Sequence, residues 1–245
     1  MSLNSHIRSF SHALQFLTRL PAPRIAVFDP DDLSRSALWF PVVGAIVGLI
    51  VAAALWTGAQ ASPWIGALLA LIAWVWVTGG LHLDGLSDIA DALGVAHRSP
   101  ERFLEVLRDP HIGAFGTIAI VLQLIAKLVL LAAVATPPAL AAVVLIAAWA
   151  RWGAIVWSVT VTPLATGTGE RFSWHIDRRA IVVEGVVLAV LSAWLAPLLL
   201  LALLVVPAIA AFWKYRVGGV TGDCLGAGIE VTETLLLLII AVQRA

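Results

Sequence analysis

Two stretches of the chain, residues 37–56 (ALWFPVVGAIVGLIVAAALW) and 62–80 (SPWIGALLALIAWVWVTGG), run for a bilayer's thickness without a formal charge. Lipid offers backbone amides no hydrogen-bond partner, so such a run crosses a hydrocarbon core of about 30 Å only as a helix of roughly 20 residues. Residues 197–213 are likewise uncharged, and three further runs carry one polar intruder each: Lys127 in 114–135, Arg151 in 138–161 and Glu184 in 180–196. A last run, 223–243, holds Asp223, Glu230 and Glu233 in its first half and is apolar from Leu235 to Val242. With 61% hydrophobic and 12% charged residues over 245 positions, the chain lies far outside the composition of a soluble enzyme. The sequence predicts an all-α integral membrane protein, one polytopic domain over 1–245 with about seven transmembrane helices.

The charges set an orientation. Fifteen Lys and Arg balance fifteen Asp and Glu, so no basic field exists to hold nucleic acid. Basic residues favour the cytoplasmic side of a membrane. Arg8, Arg19, Arg24 and Arg35 precede the first span; Arg98, Arg102 and Arg108 follow the second; Arg171, Arg178, Arg179, Lys214 and Arg216 fall in the later connections of the same side, twelve in all. The opposite connections, 57–61 and 136–137, have none, and only Arg244 falls on that side. An odd number of spans with a cytoplasmic N-terminus follows. Trp39, Trp56, Trp64, Trp157, Trp194 and Trp213 lie near span ends, where indole rings favour the interface. Ile7, Phe10, Leu14, Leu17 and Leu20 recur at near-helical spacing, which predicts an N-terminal interfacial helix over 5–20. No apolar signal-peptide core precedes Pro21, and one cysteine, Cys224, allows neither an internal disulfide nor a zinc framework.

Chemistry concentrates in two stretches. In Gly79-Gly80-Leu81-His82-Leu83-Asp84-Gly85-Leu86-Ser87-Asp88-Ile89-Ala90-Asp91, the carboxylates of Asp84, Asp88 and Asp91 stand at i, i+4 and i+7. A helix aims side chains at those offsets in one direction. Crowded like charges need a cation, and oxygen-only ligands favour Mg²⁺ or Mn²⁺; a solvated acidic helix face would leave the same pattern. In the second stretch, Gly218 to Gly228, a glycine-rich turn with Thr221 and Gly222 leads into a helix with Asp223 at its start and Glu230 about 10 Å deeper. Carboxylates at that depth imply function, with cation-coupled transport as a competing use. Arg108 and Arg151 are candidate phosphate ligands because a guanidinium grips two oxygens, and Lys127 is a candidate point charge; a structural ion pair such as Lys127 with Glu230 competes with that role. His82 and His111 border the acidic and basic clusters, while His6, His12, His97 and His175 read as ordinary surface or interface residues. Thr166 to Glu170 only loosely resembles a phosphate-cradling loop, and Asp29, Asp31 and Asp32 read as a solvated turn.

Phe16-Leu17-Thr18-Arg19-Leu20-Pro21, the 79–88 block with Asp91, Arg108-Asp109 through Gly116, and Gly219-Val220-Thr221-Gly222-Asp223 with Leu225-Gly226-Ala227 together resemble the cobalamin synthase family, the adenosylcobinamide-GDP ribazoletransferases. The resemblance covers residues 10–235 and departs from the family pattern at Pro163 to Gly169. It implies a Mg²⁺-dependent phosphotransferase of the bacterial inner membrane, with its site on the cytoplasmic side. Such an enzyme joins adenosylcobinamide-GDP to α-ribazole or its 5′-phosphate and releases GMP. On that resemblance Asp84, Asp88, Asp91 and Asp223 would hold the metal, and Arg108, His111, Lys127, Arg151, Thr221 and Gly222 the substrate; an aspartate such as Asp84 or Asp88, His82 or Glu230 would serve as base. Homo-oligomers or association with other cobalamin-assembly enzymes stay open. The alternatives are a CDP-alcohol phosphotransferase, whose Asp-Gly-x-x-Ala-Arg element is not matched, and a cation-coupled transporter using Lys127, Glu230 and Glu233.

Overall fold

The computed structural model describes residues 3–23, 30–95, 99–164 and 176–243, and within them the chain is helical with no strand. The loosely phosphate-like loop at 166–170 lies outside the described residues, as do Arg24, Asp29, His97, Arg98, Arg171, His175 and Arg244. Eleven α-helices are described: α1 Leu3–Leu17, α2 Pro30–Ala37, α3 Phe40–Ala59, α4 Pro63–Thr78, α5 Leu81–Val95, α6 Pro100–Val106, α7 Ala114–Ala133, α8 Leu140–Thr160, α9 Arg178–Leu195, α10 Ala202–Phe212 and α11 Gly222–Val242. A 3₁₀ turn, Pro137–Ala139, leads into α8, and another, Pro197–Leu201, into α10; a π-helical turn, Trp213–Val217, prolongs α10.

Among the described residues five helices are long and apolar enough to cross a membrane: Phe40–Ala59, Ala114–Ala133, Pro137–Thr160, Pro197–Val217 and Gly222–Val242. A sixth span results if α4 and α5 are counted together, although α5 is bent 86° away from α4 and runs across its end. The sequence separates the two at Gly79 and Gly80, whose φ angles of 65° and 74° are left-handed and cheap only for glycine. At its other end α4 starts on Ser62, whose Oγ accepts the Ile65 amide, with Pro63 in the first turn. The predicted span at 180–196 forms helix α9, but Arg178, Arg179 and Glu184 keep it below the other five in apolar character.

Helices α3, α4, α7, α8 and α11 pack side by side around one apolar core that includes Val47, Leu55, Trp74, Leu131, Ile146, Leu236 and Leu237. Small residues bring backbones together where no hydrophobic drive exists between helices in lipid. A Cβ on Gly44 would stand 2.5 Å from the Ala147 carbonyl oxygen, so α3 lies directly on α8. Large apolar side chains of α4, α7 and α9, among them Trp76, Leu122 and Val182, point outward and are exposed. Trp56, Trp64 and Trp194 are also exposed, as span-end indoles should be, but Trp157 and Trp213 are not. Trp157 is fully buried and donates its Nε1–H to the Val206 carbonyl at 2.9 Å, which makes it a core side chain. Alternating up and down passes with short joins place the start of α3, the end of α4, the end of α8 and the start of α11 at one end of the bundle. Helix α5 lies there, packed on α11 and α7.

Candidate active site

The site forms where α5 crosses the first turns of α11. Glycine permits the approach: a Cβ on Gly85 would stand 2.9 Å from the Asp223 carbonyl oxygen, and one on Gly226 3.4 Å from the His82 Cα. The turn before α11 is fixed from the other side. Val220 donates its amide to the Thr162 carbonyl at 2.9 Å, Leu164 donates to the Val220 carbonyl at 3.0 Å, and Gly218 turns the chain at a φ of 89°. Thr221 caps α11 by accepting the Cys224 amide at 3.3 Å. The result is a cavity of about 190 Å³ at the bundle end, walled by Phe16, Leu17 and Phe40 on one side. His82, Asp84, Gly222 and Asp223 face it from the other.

Two distant stretches of sequence therefore place Asp84 and Asp223 on one small cavity. Asp88, one turn further along α5, is half-buried, and its carboxyl is pushed up to about 6, first by burial and then by the charges of Asp84, Asp223 and Asp91. That upward push reflects burial first and the crowding of like charges second. Among the described residues no group of three His, Cys, Asp or Glu side chains stands ready to hold a metal ion by itself. Two oxygen donors across a cavity nonetheless fit Mg²⁺, which takes one or two carboxylates and completes its shell with substrate phosphates and water.

Asp91 has a different occupation. Its two oxygens accept the amides of Gly113 at 2.7 Å and Gly116 at 2.9 Å. It caps the start of α7 from a neighbouring helix, where a negative charge meets unpaired N–H groups. Each Asp91 oxygen thus has one lone pair engaged by the start of α7, a capping role that stands beside the metal-ligand expectation.

The deeper charged residues also pair with one another. Lys127 Nζ lies 2.7 Å from Glu230 and 2.5 Å from Glu233, and Arg151 donates to the other Glu233 oxygen. Gln123 donates to Glu230 at 2.8 Å, and Lys127 sits 4.5 Å from the centre of the Trp74 ring. All four charged groups are buried. Two cations and two carboxylates make a neutral unit, the form in which ionised side chains tolerate a membrane interior. Lys127, Arg151 and Glu230 were expected to bind substrate or act as base, and none of the three lines the cavity. Glu233 completes the unit; its spacing of three from Glu230, on the same helical face, was the available signal.

His82 connects the unit to the cavity. Its Nδ1 lies 3.4 Å from an Arg151 nitrogen. A guanidinium has no lone pair to offer, so Nδ1 must accept, and the neutral ring carries its proton on Nε2. Nε2 is buried without a partner. In this tautomer His82 can donate a hydrogen bond at Nε2 but cannot take a proton there. Arg108 and His111 are exposed in the α6–α7 connection; His111 Nδ1 stands 2.7 Å from Asp109, whose carboxyl that bond holds below its usual range. The structure thus brings together His82, Asp84, Asp88, Gly222 and Asp223, with Thr221 capping beside them, and leaves Arg108 and His111 outside the cavity lining.

The sequence matches the model of one family, described as cobalamin-5-phosphate synthase, over residues 9–241. The chain belongs to that family. Its relatives extend the match end to end. An adenosylcobinamide-GDP ribazoletransferase of Laribacter hongkongensis is 56% identical over 238 residues, 96% of this chain and 97% of that one. The protein of the same description from Thiobacillus denitrificans is 49% identical, covering 98% and 97%, and that from Novosphingobium aromaticivorans is 48% identical, covering 96% and 97%. No solved structure matches the chain. Family membership covers all the elements that build the cavity, from α1 to α11.

Proposed function

We propose that the chain is an adenosylcobinamide-GDP ribazoletransferase, a transferase of cobalamin biosynthesis that joins the cobinamide phosphate of adenosylcobinamide-GDP to α-ribazole or its 5′-phosphate and releases GMP. The observation that carries the reading to particular residues is the meeting of Asp84 and Asp223 on one cavity in a chain related to such enzymes over nearly its full length. In the reaction the acceptor hydroxyl oxygen forms a bond to the phosphorus that carries cobinamide. The bridging P–O bond breaks, its electron pair leaves with GMP, and the hydroxyl proton passes to a base.

The residues divide these tasks. Asp84 and Asp223 would hold the metal ion, with Asp88 beside them. Mg²⁺ held there would supply countercharge to the diphosphate, whose leaving group gains negative charge. The Gly222 amide, in the first turn of α11, presents an N–H group to an anion. His82, with its proton on Nε2, donates to a substrate oxygen and orients it. The base is a carboxylate, and Asp88, one turn along α5 from Asp84, is the candidate.

The same reading fixes the setting. Helices α4 and α9 join the five longer ones as spans six and seven, α5 lies across the cytoplasmic ends, and the N-terminus is cytoplasmic in the bacterial inner membrane. The one-sided distribution of Lys and Arg supports that orientation. The test is incubation of the purified protein with adenosylcobinamide-GDP and α-ribazole, with and without Mg²⁺. Cobalamin and GMP are the expected products, in the Mg²⁺ arm alone; absence of both in every arm would remove the reading.

A further inference from the structure

Resting on that reading, one question of charge is left at the site. A diphosphate entering a cavity faced by Asp84 and Asp223 meets like charge, and one divalent ion does not cover all its oxygens. Of the three cations anticipated for this task, Lys127 and Arg151 are engaged with Glu230 and Glu233 deep in the bundle, and Arg108 is outside the cavity lining. Another cation lies two residues along the chain from the cavity wall. Arg19 ends the α1 segment whose Phe16 and Leu17 form the cavity wall. Its amide donates to the Val77 carbonyl at 2.7 Å, which fixes residue 19 to the last turn of α4.

The Arg19 side chain is laid across the glycine pair that separates α4 from α5. A Cβ on Gly79 would stand 2.2 Å from Arg19 Nε and 2.9 Å from its Cγ and Cδ, so the bare glycine is the bed of the side chain. The guanidinium is exposed, and among the described residues its one hydrogen bond is a long one, 3.5 Å, to the Gly79 carbonyl. Among the described residues it pairs with no carboxylate. Asp84 donates its amide to the Gly80 carbonyl, so its backbone lies about one helical turn, roughly 5.4 Å, beyond that bed. A five-donor planar group, held by its stem and free at its edge, suits bidentate contact with phosphate oxygens.

We propose that Arg19 binds the diphosphate of the nucleotide-activated donor, opposite the Asp84 and Asp223 carboxylates, and that Gly79 is glycine in order to seat it.

The test uses the full chain in detergent micelles or nanodiscs and the variants Arg19→Ala and Arg19→Lys. The lysine variant keeps the backbone bond and most of the apolar stem, so it isolates the guanidinium head. Wild-type GMP release comes first; if the wild type makes none, the functional reading fails, separately from this inference. With an active wild type, Arg19→Ala should raise KM for adenosylcobinamide-GDP about tenfold or more and leave KM for α-ribazole unchanged. Arg19→Lys should be intermediate, and millimolar guanidinium should restore part of the alanine variant's activity. Binding of GDP should weaken by a similar factor, while binding of guanosine, which lacks phosphates, should not change. Unaltered KM and GDP affinity in both variants would overturn the assignment. So would equal losses for donor and acceptor without guanidinium rescue, which would mark Arg19 as structural.

Discussion

At the scale of single residues, the buried charges and the cavity carboxylates obey different rules. Lys127, Arg151, Glu230 and Glu233 are neutral only as a set, so deleting one member strands a charge in a low-dielectric interior. Lys127→Met should cost about 3–5 kcal/mol of stability. The double variant Lys127→Met with Glu230→Gln should recover part of that loss, because neutrality returns; thermal unfolding of both in the same detergent checks the pattern. Asp88 behaves in the opposite sense. Its carboxyl moves from an ordinary 3.8 to about 6 on folding, through burial and the neighbouring aspartates. A raised carboxyl contributes stability below its ordinary value and loses that contribution as pH rises through about 6. Without divalent ions, the melting temperature of the wild type should therefore fall relative to that of Asp88→Asn between pH 4 and pH 7. Equal melting temperatures across that range would show that Asp88 carries no such strain.

At the scale of elements, the site depends on how closely α5 and α11 approach. Gly85→Ala puts a methyl group 2.9 Å from the Asp223 carbonyl oxygen, a backbone atom that cannot swing aside. The helices must then part, at a cost of about 1–3 kcal/mol, and the two carboxylates move with them. GMP release should drop by about 10- to 100-fold while the protein still inserts, since small displacements of reacting groups are costly; turnover within twofold of wild type would refute the close-contact account. Most elements were legible in the sequence because lipid permits few alternatives: the uncharged runs became helices α3, α4 and α10, and the spacing of Asp84 and Asp88 gave one helical face. The capping role of Asp91 was not legible, because the i+7 pattern says nothing about Gly113 and Gly116 arriving from another helix to donate to its oxygens. Trp157 misled, since proximity to a span end does not reveal which neighbours cover the ring. The pairing of Lys127 with Glu230 was readable only as one of two options, because sequence gives depth but not which helices adjoin.

At the scale of the whole molecule, the fold divides labour by depth. The core of α3, α4, α7, α8 and α11 holds a neutral, internally paired charge unit, and the bundle end holds acids that form no ion pair among the described residues, around a cavity whose walls come from α1, α3, α5, α8 and α11. His82 stands between them, in contact with Arg151 and facing the cavity. The account's central claim is that carboxylates from two remote stretches act on one diphosphate. The most direct measurement is Mg²⁺-dependent GMP release from adenosylcobinamide-GDP by wild type, Asp84→Asn and Asp223→Asn, each shown to be folded by its melting temperature. The account predicts a loss of about 100-fold or more in both variants, with the double variant scarcely worse than either single one. Near-wild-type turnover in either single variant would contradict it.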